Sequence, residues 1–83
     1  MQQHEIKAKR EATGLTQQEL GERIGLSKSS ARILISAYEA GSTKDKPTGA
    51  RLDQIAAALT VAARIKAYAD KEWQKYREKF GSA

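Results

Sequence analysis

The side chains with most to offer a partner lie in residues 27–41, SKSSARILISAYEAG. Ser29, Ser30 and Ser36 bring hydroxyls that donate and accept. Arg32 brings a planar fork of donors, and Ile33 and Ala37 bring small apolar surface. That is the chemistry of recognition, not of bond making. The chain has no cysteine and a single histidine, His4, near the N-terminus. No nucleophile–base set, metal-ligand cluster or phosphate loop is recognisable, and the carboxylates sit at surface or pairing positions. An enzyme is not expected, and no cofactor or metal is implied.

Such side chains act together only if one element presents them on one side. The middle of the segment, RILIS, resembles a strand, but the chain offers no second strand to pair with it. A helix, turning about 100° per residue, gives a coherent account. Ile35, Ala31, Leu34 and Tyr38 share one face and are expected in the core. Ser29, Ser36 and Ile33 fall opposite, with Arg32 and Ala37 at the margins. The outer face is therefore small and weakly polar, with an aliphatic near its centre.

The rest of the chain is punctuated for helices, so the expected class is all-α. Gly14, Gly25, Gly41 and Gly81 each follow good helix formers, where a glycine ends a helix. Five helices are predicted in one domain, residues 1–83. The first spans about 3–13, with Ile6 and Arg10 on one face. The second opens on TQQE, in which Thr16 and Glu19 form a capping box, and carries Leu20 and Ile24 inward. The third spans about 29–40, its start lying within 27–31, and Ser29 or Ser30 is expected to cap it. The fourth follows Pro47 with Thr48 as cap and aligns Leu52, Ile55, Ala56 and Leu59. The fifth spans about 61–80, opening at Thr60 or Val61.

A chain of 83 residues buries only about 60–65% of its unfolded surface, so the core is thin. No apolar run approaches a membrane span and no signal-peptide core is present, which makes a reducing, cytoplasmic setting the expectation. The net charge of +5 favours a polyanionic partner, nucleic acid first. That charge is distributed as +1 over residues 1–14, zero over 15–41, +1 over 42–59 and +3 over 60–83. A neutral middle between basic flanks suits reading with the middle and gripping phosphates with the flanks.

GLTQQELGERIGLS, followed by ISAYEAG, Pro47 and LDQIAAAL, resembles the phage lambda repressor-like (Cro/repressor-type) helix-turn-helix DNA-binding domain over roughly residues 5–60. The resemblance implies five short helices with the third laid in the major groove of double-stranded DNA, which is wide enough for a helix. It implies that Gln17 contacts a phosphate and braces the recognition helix. It implies that Arg10 and Glu39 form a buried pair, and that Lys44 and Lys46 lie in a loop that approaches the backbone. Lys7, Lys9, Lys28 and Arg51 are further phosphate candidates. On this reading Ser29, Ser30, Arg32, Ile33, Ser36 and Ala37 read bases, with Arg32 suited to guanine and Ile33 to a thymine methyl. The sequence departs from the family pattern by about one extra helical turn between Gly25 and Glu39. That leaves SKSS as either turn or first helical turn.

Val61, Ile65, Ala69, Trp73, Tyr76 and Phe80 form an apolar stripe on the fifth helix, with Tyr68 alongside. Two outcomes are expected of it. The helix folds back to complete the core, or it forms a two-fold homodimer contact. The expected role is transcriptional repression by occupancy of an operator-like site, since no effector domain stands within the 83 residues. The alternative is an antitoxin-type module that binds a toxin partner as well as DNA. A natural repressor and a designed DNA binder on this scaffold would share all of these features.

Overall fold

The computed structural model describes residues 1–80; Gly81 and the side chain of Phe80 lie outside the described residues. A short 3-10 turn, Gln3–Glu5, leads into α1 (Ile6–Thr13), followed by α2 (Gln17–Arg23), α3 (Lys28–Glu39) and α4 (Gly49–Phe80). No strand occurs among the described residues, and RILIS lies inside α3.

Local chemistry accounts for the boundaries. The Thr16 hydroxyl accepts from the Glu19 amide at 3.0 Å, while the Glu19 carboxylate accepts from the Thr16 amide at 2.9 Å. That amide holds the Glu19 carboxyl below its ordinary pKa. At the other end of α2, Gly25 adopts φ +90°, which lets the Leu26 amide reach back to the Gly21 carbonyl at 3.0 Å. A side chain would strain that turn, so glycine fits there. Thr48 caps α4 by accepting from the Arg51 amide at 3.1 Å.

The core is formed where α1, α2, α3 and the first third of α4 meet. Ile6, Leu20, Ile35 and Ile55 are fully buried, with Tyr38, Leu59, Ala31 and Ala62 closing around them. Each of the large aliphatics contributes about 1.5–3 kcal/mol through removal from water. The face of α3 expected in the core is there, with Leu34 half-buried at its edge.

The five-helix expectation is corrected. The fourth and fifth predicted helices are one helix of 32 residues. Nothing between Leu59 and Ile65 breaks a helix, since the run holds no glycine or proline. Thr60 looked like a cap, but its hydroxyl donates to the Ala56 carbonyl one turn back at 2.9 Å, as a threonine inside a helix does. Uninterrupted, α4 spans roughly 48 Å at 1.5 Å per residue. The molecule measures 53 × 24 × 19 Å. Its radius of gyration of 15.4 Å exceeds the roughly 12 Å of a compact chain of this length.

The fold-back expectation is corrected with it. A helix that does not turn cannot return to the core, so the last half of α4 projects away. Ala62 is the last core residue along it, and Ile65, Tyr68, Trp73 and Tyr76 stay exposed.

Candidate nucleic-acid interface

Helix α3 is held at three places. Its N-terminus is fixed by Ser27, whose hydroxyl accepts from the Ser30 amide at 3.3 Å. Neither Ser29 nor Ser30 is the cap. Three serines offered the same chemistry, and the one in extended conformation at the boundary took it. The extra turn relative to the lambda-type pattern is therefore helical from Lys28 onward. The hydroxyls of Ser29 and Ser30 lie 3.2 and 3.1 Å from that of Ser27, so the three form a cluster at the exposed head of α3.

The middle of α3 is held by close approach to α2. A Cβ built on Gly21 would lie 2.4 Å from the Ala31 Cβ and 2.6 Å from its Cα. Only a glycine there lets the two helices come this close. Sequence reading missed this residue, although it carried a signal. A glycine inside a helix costs about 1 kcal/mol relative to alanine, so one that persists mid-helix needs a packing reason.

The C-terminal end is held by charge. Arg10 donates from Nε to Glu39 Oε2 at 2.6 Å and from Nη2 to Oε1 at 3.1 Å, a two-point pairing of fork to carboxylate. Its Nη1 donates to the Leu15 carbonyl at 2.9 Å. The side chains are 12% and 4% exposed, and the Glu39 carboxylate holds the guanidinium charge more firmly than in water. Gln17 adds a third donor, Nε2 to Glu39 Oε1 at 3.1 Å. The amide of Gln17 thus braces α3 from the start of α2. Gln3, also missed in the sequence, donates to the Tyr38 carbonyl at 3.0 Å.

Held this way, α3 turns Ser29, Arg32, Ile33 and Ser36 to solvent at spacings of three, four and seven residues, one face of a helix. Ser30 is exposed beside them, and Ile33 is 72% exposed. Ala37 is half-buried and sits at the rim of this face. Lys28 is the first residue of α3, and Lys44 and Lys46 are exposed in the loop that follows it. Lys7 lies on α1, with its ammonium 4.0 Å from Glu11 in an exposed pairing worth little in water. The Gln17 amide is at the C-terminal end of α3, on Glu39, and the serine hydroxyls are at its N-terminal end.

A helix-turn-helix family model matches residues 6–65, which takes in α1, α2, α3 and α4 as far as Ile65. This chain belongs to the lambda repressor-like helix-turn-helix family. No curated protein and no solved structure matches it. The helix-turn-helix family is one of DNA-binding domains, so the ridge on α3 belongs to a DNA-binding fold. Residues beyond 65, the projecting part of α4, lie outside the match. No described helix is long and apolar enough to cross a membrane. Among the described residues no three acidic or histidine side chains gather where they could hold a metal ion.

Proposed function

We propose that the chain is a sequence-specific reader of double-stranded DNA that lays α3 in the major groove. By occupying its site it acts as a transcriptional regulator, a repressor in the simplest case. The observation that carries this reading is the exposed face of α3. Its only charges are Arg32 and, one turn earlier at the helix start, Lys28; it exposes Ile33 and is anchored from behind by Gly21 and by Arg10–Glu39–Gln17. An ordinary solvated face would carry more charge and no large aliphatic at its centre. Arg32 would read guanine, Ile33 a thymine methyl, and Ser29, Ser30 and Ser36 base edges or phosphates, with Ala37 letting the helix sit close.

Two measurements test this assignment. Arg32→Ala should weaken binding to the preferred duplex by about 1–3 kcal/mol and relax the preference at one G·C pair. Ile33→Ala should cost roughly 1 kcal/mol, confined to one A·T position. Because Ile33 is exposed, its variant should melt with the parent. An Ile33→Ala protein that binds every sequence as the parent does would remove the thymine contact.

The phosphate grip falls to Lys28, Lys44, Lys46 and Lys7, with Gln17 as a neutral donor. Each cationic contact adds about 0.9 to the slope of log K against log salt, so four predict a slope of about −3.6 per chain. A titration from low to moderate salt checks it, and a slope near zero would remove the electrostatic part of the proposal.

The projecting half of α4 suits a homodimer, which would place two α3 helices on half-sites about one DNA turn apart. The antitoxin-type role draws on the same exposed aromatics, and a stoichiometric toxin that co-purifies would favour it.

A further inference from the structure

The projecting half of α4 carries more than its apolar stripe. At about 100° per residue, Arg64, Tyr68, Lys71 and Lys75 fall within roughly 60° of one another, at intervals of four, three and four residues. All four are exposed, Tyr68 by 68%. No other residue between Thr60 and Lys79 falls inside this strip; Lys79 borders it on one side and Glu78 on the other. Its centre lies roughly 130° around the helix from Ala69, so covering the apolar stripe leaves it open.

The charge on the strip is available. Among the described residues Arg64 and Lys71 have no acidic partner. Lys75 meets Glu72 in an exposed pairing at 3.6 Å, worth little in water. By contrast Lys66, across the apolar stripe, is paired with Asp70. Three cations and a phenol hydroxyl are groups that hold phosphate oxygens without reading bases. Arg64 to Lys75 spans roughly 16 Å at 1.5 Å per residue, a length over which duplex DNA carries about ten phosphates. Three of the four residues lie beyond the family match, so the strip belongs to the arm of this chain.

The strip and the outer face of α3 look away from each other. Helices α1 and α2 each pack on both α3 and α4, and Ile35 of α3 meets Ile55 of α4 in the core cluster. Along α4, the mean direction of Ile55, Leu59 and Ala62, which face the core, lies roughly 180° from the strip. Helix α3 likewise turns its exposed face from the core. A straight duplex seated on α3 therefore does not run past the strip.

We propose that the strip holds the phosphates of a second DNA segment, so that one chain bridges two duplexes. Helix α3 sits on its site, and the arm takes the other duplex without regard to sequence. The bridge rests on the reading of DNA by α3; the grip of the arm does not.

A capture assay with two duplexes tests the bridge. A duplex carrying the selected site is immobilised, the full chain is added, and retention of a free, labelled duplex of unrelated sequence is measured. The parent should retain it, and retention should fall about forty-fold between roughly 50 and 200 mM salt, as three phosphate contacts require. The combined variant Arg64→Gln, Lys71→Gln and Lys75→Gln should bind the site duplex with the parent's affinity and salt slope, and retain no second duplex. All three side chains are exposed and glutamine suits a helix, so the variant should melt with the parent. A parent that retains no second duplex, or a variant that still retains it, would overturn the proposal. A shallower salt slope of the variant on the site duplex alone would overturn the bridge, since the arm would then lie on the same DNA. If α3 reads no sequence, stoichiometry still reports the arm. With excess short unrelated duplex at low salt, the parent should bind one more duplex per chain than the variant, and equal stoichiometry would overturn the grip itself.

Discussion

Replacing Arg10 with alanine is expected to unfold or badly weaken the domain, not merely to weaken binding. The Glu39 carboxylate, 4% exposed, would keep only the Gln17 amide after losing both Arg10 donors, and the Leu15 carbonyl would lose its own. Leaving a buried charge without its counter-charge costs about 3–5 kcal/mol. A chain of this length is stabilised by roughly 4–12 kcal/mol in total. The loss therefore lowers the melting temperature by at least about 10 °C. Glu39→Gln should be milder, because the amide oxygen still accepts from Arg10, but it should still destabilise, since the guanidinium loses its counter-charge and the new NH2 meets a donor. Thermal denaturation followed by circular dichroism checks both, and an Arg10→Ala melt that overlays the parent's would refute the account of this pair.

Gly21→Val is the second large effect. Helix propensity alone argues that any substitution of a mid-helix glycine stabilises, by about 0.5–1 kcal/mol for alanine. The geometry argues the reverse, since even a Cβ would meet the Ala31 backbone at 2.6 Å. Overpacking of this kind costs about 1–3 kcal/mol and more where the obstacle is backbone. Gly21→Ala should therefore destabilise slightly despite its better propensity, and Gly21→Val by about 3 kcal/mol. Denaturant titration reads both. Because the contact sets the distance between α2 and α3, any folded remnant of Gly21→Val should also lose its preferred DNA sequence. A stabilised Gly21→Ala would show that α2 and α3 do not need this approach.

These two positions mark how far the sequence could be read. Arg10 and Glu39 were found through the family resemblance, because no spacing rule links residues 29 apart. Thr16 with Glu19, Gly25 and Thr48 were legible from local chemistry, since a cap or a left-handed turn is decided within a few residues. The buried face of α3 was legible from period, which is why RILIS could be assigned to a helix against its strand-like composition. What was not legible depended on competition between equals or on distance. Three neighbouring serines could each have capped α3, and only the backbone conformation at Ser27 separates them. Thr60 has the chemistry of a helix start, and only its bond to Ala56 shows that it is a helix interior. The stripe on α4 was visible as a period, but a period does not say what covers it. Continuity of the helix through Thr60 turned the expected fold-back into a projecting arm.

The central claim is that the outer face of α3 reads a specific sequence. Selection from a library of randomised duplexes, followed by affinity measurement on the winner and on unrelated duplexes at one salt concentration, tests it most directly. The account predicts a single recovered consensus, bound at least about a thousand-fold more tightly than unrelated DNA, with a G·C pair and an adjacent A·T pair that lose their preference in Arg32→Ala and Ile33→Ala. Equal affinity for the winner and for unrelated duplexes would contradict it.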